Sequence, residues 1–186
     1  MRAFITISCF LLSMCSYAQT KTVLPSVDSL KQLLQQNQFH LTLNIINENL
    51  KQDLESDEVN FLNSYKVKPL IEANLYDNAF ELSNELLIQD SLQTDLRINT
   101  LLNRALIYEI KGEFFKSKAD LVQLDSIFKK YESQKDEDYG EYLYRKASLY
   151  RVNNKLDSAR VFVKQSITFS EENNYKATAG VAYAVL

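Results

Sequence analysis

Few side chains in this chain could do covalent chemistry. His40 is the only histidine among 186 residues, and the two cysteines, Cys9 and Cys15, both fall near the N-terminus. A metal centre or an acid–base pair needs several donors that converge, and a lone histidine beside Phe39 at a predicted helix start reads as a surface residue. No Gly-rich phosphate loop or Ser-His-Asp constellation can be assembled around it. The densest acidic run, Asp136-Glu137-Asp138, precedes a predicted helix, where negative charge is favoured by the helix dipole. The expectation is a chain without enzymatic activity, cofactor or metal. What remains is recognition chemistry. Tyr144, Ser148 and Arg151 share one helix face by their spacing, and an aromatic ring with a nearby arginine is typical of protein interfaces.

The elements that must carry these residues announce themselves by a recurring pattern. An amphipathic helix is followed by a short polar turn, a bulky residue and, three places on, a small one. The bulky residues are Phe39, Tyr76, Phe114 and Leu156, and their small partners are Thr42, Ala79, Ser117 and Ala159. The steps between them are 37, 38 and 42 residues. A period of this size belongs to stacked helical hairpins, whose product is contact surface. Composition agrees: two Pro and three Gly are too few for a loop-rich fold. The net charge of −3, with both signs interspersed, argues against a partner held by phosphate neutralisation, so no nucleic acid is expected.

The first eighteen residues have a different character. Arg2 leads into the apolar run Ala3 to Leu12, then Ser16-Tyr17-Ala18, which is the layout of a secretory signal peptide. The expected organisation is a signal peptide over 1–18, a linker over 19–26 and one helical domain over 27–186. Cleavage after Ala18 would remove both cysteines and leave no disulfide or thiolate. Leu12-Ser13-Met14-Cys15 resembles a bacterial lipobox, which makes Cys15 a candidate lipidation site, although Met14 is bulkier than that pattern favours.

Apolar periodicity predicts the hairpins in detail. Helix from Val27 is broken at Asn37-Gln38, and a second helix runs from Phe39 to Leu54. Val59 to Ala73 pairs with Tyr76 to Gln89 across Asn74, with Pro69 inside the first helix. Leu96 to Lys111 pairs with Phe114 to Tyr131 across Gly112, and Tyr139 to Val152 pairs with Leu156 to Glu172 across Asn153-Asn154. Tyr175 to Leu186 reads as the first helix of a fifth hairpin, and the extra length of the 42-residue step is placed around Asp125 to Asp138. Asn and Gly at the turns suit the left-handed conformation that ends a helix.

The best-formed units carry Leu101, Ala105, Tyr108, Gly112, Phe114, Ser117 and Leu121, and again Leu143, Ala147, Tyr150, Asn154, Leu156, Ala159 and Val163. In these places the chain resembles the tetratricopeptide repeat over about residues 27–186. That resemblance implies an all-α, right-handed α-α superhelix, a solenoid of about four hairpins plus the first helix of a fifth. It also implies a concave groove lined by the first helix of each hairpin. The groove-facing positions are Tyr144, Ser148 and Arg151 in one unit and Asn99, Leu102 and Glu109 in the preceding one. Tyr108 and Tyr150 are expected in the seam between paired helices.

The functional expectation is an exported scaffold that works by protein–protein contact, periplasmic or associated with the envelope of a bacterium. An export leader feeding into repeats resembles the extracytoplasmic part of bacterial sensor kinases and membrane-tethered transcription regulators. On that reading the partner is a protein or peptide, and a membrane is reached only through a further C-terminal segment or Cys15 lipidation. The alternatives are a nutrient-binding helical lipoprotein at the outer membrane and a periplasmic assembly scaffold. Asp-Ser steps at Asp28, Asp90, Asp125 and Asp157 resemble a bacterial O-glycosylation signal, and they equally suit helix starts and turns.

Overall fold

A computed structural model describes residues 24–131 and 135–185. The expected leader over 1–18, the candidate lipidation site Cys15 and most of the expected 19–26 linker lie outside the described residues. Among those described, nine α-helices and no strands are found. They are α1 (Val27–Gln35), α2 (Phe39–Asn49), α3 (Ser56–Glu72), α4 (Tyr76–Leu87), α5 (Thr94–Ile110), α6 (Phe114–Lys130), α7 (Glu137–Val152), α8 (Leu156–Glu172) and α9 (Lys176–Val185). The all-α reading is correct, and no described helix is long and apolar enough to cross a membrane.

The turns sit where their residue types place them. Asn37, Asn74 and Asn154 take φ of 56°, 60° and 57°, and Gly112 takes 74°. Asparagine and glycine tolerate this left-handed conformation at little steric penalty. Helix starts are equally local. The Ser26 hydroxyl accepts from the Ser29 amide at 3.1 Å, Glu55 and Glu58 cap α3 reciprocally, and the Asp136 carboxylate accepts from the Asp138 amide at 3.1 Å. Such caps contribute about 1 kcal/mol each. α2 ends at Asn49, short of the expected Leu54. There the Asn49 amide donates to the Ile45 carbonyl at 2.8 Å, and asparagine that bonds its own backbone competes with helix continuation. α3 runs unbroken through Pro69.

Consecutive helices pair as α1–α2, α3–α4, α5–α6 and α7–α8, and each hairpin then packs on the first helix of the next. The recurring small residues are the contact points: Thr42, Ala79, Ser117 and Ala159 are all buried, because a small side chain lets neighbouring helices approach to about 8–10 Å. Leu30, Ile46, Leu62, Val67 and Ile107 are buried in one core under the first five helices. Leu101, Leu124, Phe128, Tyr142 and Leu143 form a second, and Ala147, Val163, Ile167 and Ala182 a third. Fully burying such side chains stabilises the fold by roughly 1.5–3 kcal/mol each.

Three helices come close together at Gly140 on α7. The Ser166 hydroxyl donates to the Gly140 carbonyl at 2.7 Å, and a Cβ there would lie 2.7 Å from Ser170 Oγ and 3.1 Å from Thr178 Cγ2. Glycine is required because α8 and α9 both press on this turn. The two tyrosines differ. Tyr150 stacks on Phe162 of the paired helix α8 at 5.2 Å, as expected. Tyr108 meets both neighbours: Lys116 of its paired helix α6 lies 5.7 Å from its ring, and Phe80 of the preceding hairpin packs edge-on at 5.5 Å.

Candidate binding cleft

Because α3, α5, α7 and α9 pack in succession, their outward stripes form one continuous wall. α1 comes round to the N-terminal end of α7: Lys31 Nζ lies 3.1 Å from Asp136 Oδ2, and the Gln35 amide donates to Glu137 Oε2 at 2.8 Å. Between these elements lies a cleft of about 620 Å³, within the size range of ligand and peptide sites.

The walls mix apolar and ionic groups. Leu34, Ile71, Leu102, Leu106 and Tyr144 supply apolar surface, and Asn99 and Asn103 supply amides. Four carboxylates (Glu72, Glu137, Asp138, Glu141) face three cations (Lys31, Lys68, Arg145), so the cleft is nearly neutral. Arg145 organises the floor. Its side chain is only 3% exposed, with Glu109 Oε2 3.2 Å from Nη1, and its Nε donates to Glu141 at 2.9 Å. Nη2 of the same guanidinium also bonds Glu141. Glu109 in turn accepts from the Ser117 hydroxyl at 3.1 Å, which ties α5, α6 and α7 together. The Tyr144 ring lies 5.7 Å from the Arg145 guanidinium, close enough for a cation–π contact.

Burial governs the ionisation of these groups. Glu109 is pushed above the ordinary carboxylate value by burial, which outweighs the pull of Arg145. Burial also opposes ionisation of Glu141, but Arg145 and Lys68 overcome it and hold Glu141 below the ordinary value. Asp138 keeps a minor part of its surface open yet is packed round by protein. Burial, then Asp136, push its carboxyl up to about 8 against the opposing pull of Lys31. Burial should lower the Lys31 ammonium, but Asp138 and Asp136 more than offset it and hold Lys31 above the usual lysine value. Tyr65, buried beside this group, is pushed up to about 12 by burial, against the opposing pull of Lys31.

Three of the six groove residues expected from sequence meet here: Asn99, Leu102 and Tyr144 line one wall. Glu109 lies behind it and touches the cleft only through Arg145. Ser148 and Arg151 continue the stripe of Tyr144 but lie about one and two helical turns beyond the cleft. α7 contributes to the walls only from Glu137 to Arg145. Sequence reasoning missed Lys31, Asp138, Glu141 and Arg145. Glu141 and Arg145 stand four apart, a spacing that signals an ion pair on a helix. The link from Lys31 to Asp136 has no local signal. His40 is exposed at the start of α2. Among the described residues, no three His, Cys, Asp or Glu side chains are grouped to hold a metal ion. Comparison with protein-family models, with curated proteins and with solved structures finds no match to this chain.

Proposed function

We propose that the chain is an exported, non-enzymatic interaction scaffold, a tetratricopeptide-like right-handed superhelix that holds a partner protein or peptide in this cleft. One observation carries the reading. Successive first helices bring Asn99, Leu102 and Tyr144 onto one wall of an open cleft, where side-chain amides, an aliphatic surface and an aromatic ring face the same space. Such a mixture suits an extended peptide, whose backbone bonds to amides while its side chains fill apolar pockets. The burial of all four recurring small residues supports the repeat architecture, since that pattern is what stacked hairpins require. The leader-like Arg2 to Ala18 segment supports export.

The test is site-specific photo-crosslinking in an envelope extract. A photoreactive phenylalanine at position 144 should give a discrete adduct, while the same group at the exposed Glu172 of α8 should not. Adding Asn99→Arg, which fills the cleft with a charged side chain, should abolish the adduct. The same adducts from both positions, insensitive to Asn99→Arg, would sink the proposal.

A further inference from the structure

We propose a second docking site on the opposite side of α7, in the gap between α6 and α7, for a short partner segment whose apolar anchors are flanked by carboxylates.

The gap lies between the N-terminal half of α6 and the C-terminal half of α7, at the end away from the loop that connects them. α6 is 17 residues long where its counterpart α4 has 12, and α6 packs on α7 more sparsely than α4 packs on α5. A cleft of about 510 Å³ opens there. Its walls are apolar: Leu121 and Val122 come from α6, Leu149 and Tyr150 from α7. At its mouth the Phe115 ring is 86% exposed, and Val122, on the same stripe, is 56% exposed. An aromatic this open beside an apolar cleft is unfavourable in water and marks a binding surface.

The rim specifies the charge of the occupant. Lys118, Lys146 and Lys155 stand around the opening. Lys118 and Lys155 have no ion-pair partner among the described residues. The one carboxylate in the lining, Asp125, is already engaged by Tyr142 at 2.6 Å and by Lys146 at 3.2 Å. The mouth is therefore locally cationic on a chain whose net charge is −3. Carboxylates of a partner would complete Lys118 and Lys155 while its apolar side chains cover Phe115 and enter the cleft. Three lysines around an apolar cavity suit a peptide better than a nucleic acid, which requires a run of phosphate contacts.

Fluorescence anisotropy with the full chain tests this. The probe is a short fluorescein-labelled amphipathic peptide with Leu and Phe anchors between glutamates, and the control replaces its glutamates with lysines. Saturable binding of the glutamate peptide is expected. It should weaken about tenfold or more in Lys118→Glu/Lys155→Glu and in Phe115→Ala, fall with added salt, and be unchanged in Asn99→Arg. Phe115, Lys118 and Lys155 are exposed and Asn99 is half-buried, and far-UV circular dichroism checks that each variant is folded. No saturable binding, equal binding of the lysine peptide, or equal competition by a single-stranded oligonucleotide would each overturn the proposal. So would a concentration-dependent dimer in sedimentation that Phe115→Asp abolishes, since the face would then belong to a second copy.

Discussion

The two clefts share α7 as a wall and are built on opposite terms. On one side Arg145, Glu109 and Glu141 are held by one another, and side-chain bonds join α7 to α1, α5 and α9. On the other, apolar side chains stand open and two lysines have no ion-pair partner among the described residues. The first site is organised before any partner arrives, so little side-chain entropy is lost on binding. The second leaves its apolar and charged groups uncompensated until something covers them. Loss of a member of the buried ion network in the first should therefore act on the fold, and a substitution at the open rim of the second on recognition.

The sharpest way to break this contrast is Arg145→Ala. It leaves Glu109 and Glu141 without their shared cation in a buried setting, and should destabilise by about 3–5 kcal/mol in urea denaturation. Lys118→Glu, exposed and without an ion-pair partner among the described residues, should change stability by less than about 0.5 kcal/mol. Comparable losses in the two variants would erase the distinction.

Next in size is Gly140→Ala, which presses a methyl group into Ser170 and Thr178. Overpacking of this kind is destabilising by about 1–3 kcal/mol, of which the better helix propensity of alanine recovers up to about 1 kcal/mol. A drop in melting temperature is expected, and Thr178, which donates to Glu137 at 3.1 Å, carries the disturbance to the cleft wall.

A pH titration sharpens the comparison further. The Asp138 carboxyl, pushed up to about 8 by burial, titrates near 3.9 in an unfolded chain. Between those values the folded state holds the extra proton, so stability from this group is full below the unfolded value and is lost as pH rises through about 8. Asp138→Asn is neutral throughout and should gain on the native chain by about 1 kcal/mol or more as pH rises from about 5 to about 8. A constant difference across that range would contradict the enclosed setting of Asp138. A smaller effect than these is expected for Lys31→Ala, close to the ceiling set for Lys118→Glu. Its pair with Asp136 is partly exposed on both sides, and loss of the contact should lower stability by about 0.5 kcal/mol, an effect that vanishes in high salt.

How much of this was readable beforehand depended on the range of the interaction. Asn37, Asn74, Gly112 and Asn154 marked their turns because the left-handed conformation is a property of the residue itself. α8 was bounded correctly at Leu156 and Glu172, since its period and its turns agree. Asn99, Leu102 and Tyr144 were placed by helical spacing together with the family resemblance. Ser148 and Arg151 were not, because a stripe on a helix says nothing about where the facing wall ends. Asp136-Glu137-Asp138 is explained only in part by a favourable helix start. Asp136 does cap α7, but its bond to Lys31 depends on how the packing of the intervening helices brings α1 to α7, to which many separate contacts contribute.

The Lys31–Asp136 bond joins residues 105 apart in the chain, while the principal packing runs between near neighbours. Closing so long a loop is entropically unfavourable until the intervening hairpins are formed. Folding can therefore spread from hairpin to hairpin, with the contact between α1 and α7 made late. In the native state the same contact can open while the central cores stay intact. Amide protons of α1 should then exchange well before those of α5, and the first helix becomes the movable edge of an otherwise fixed cleft.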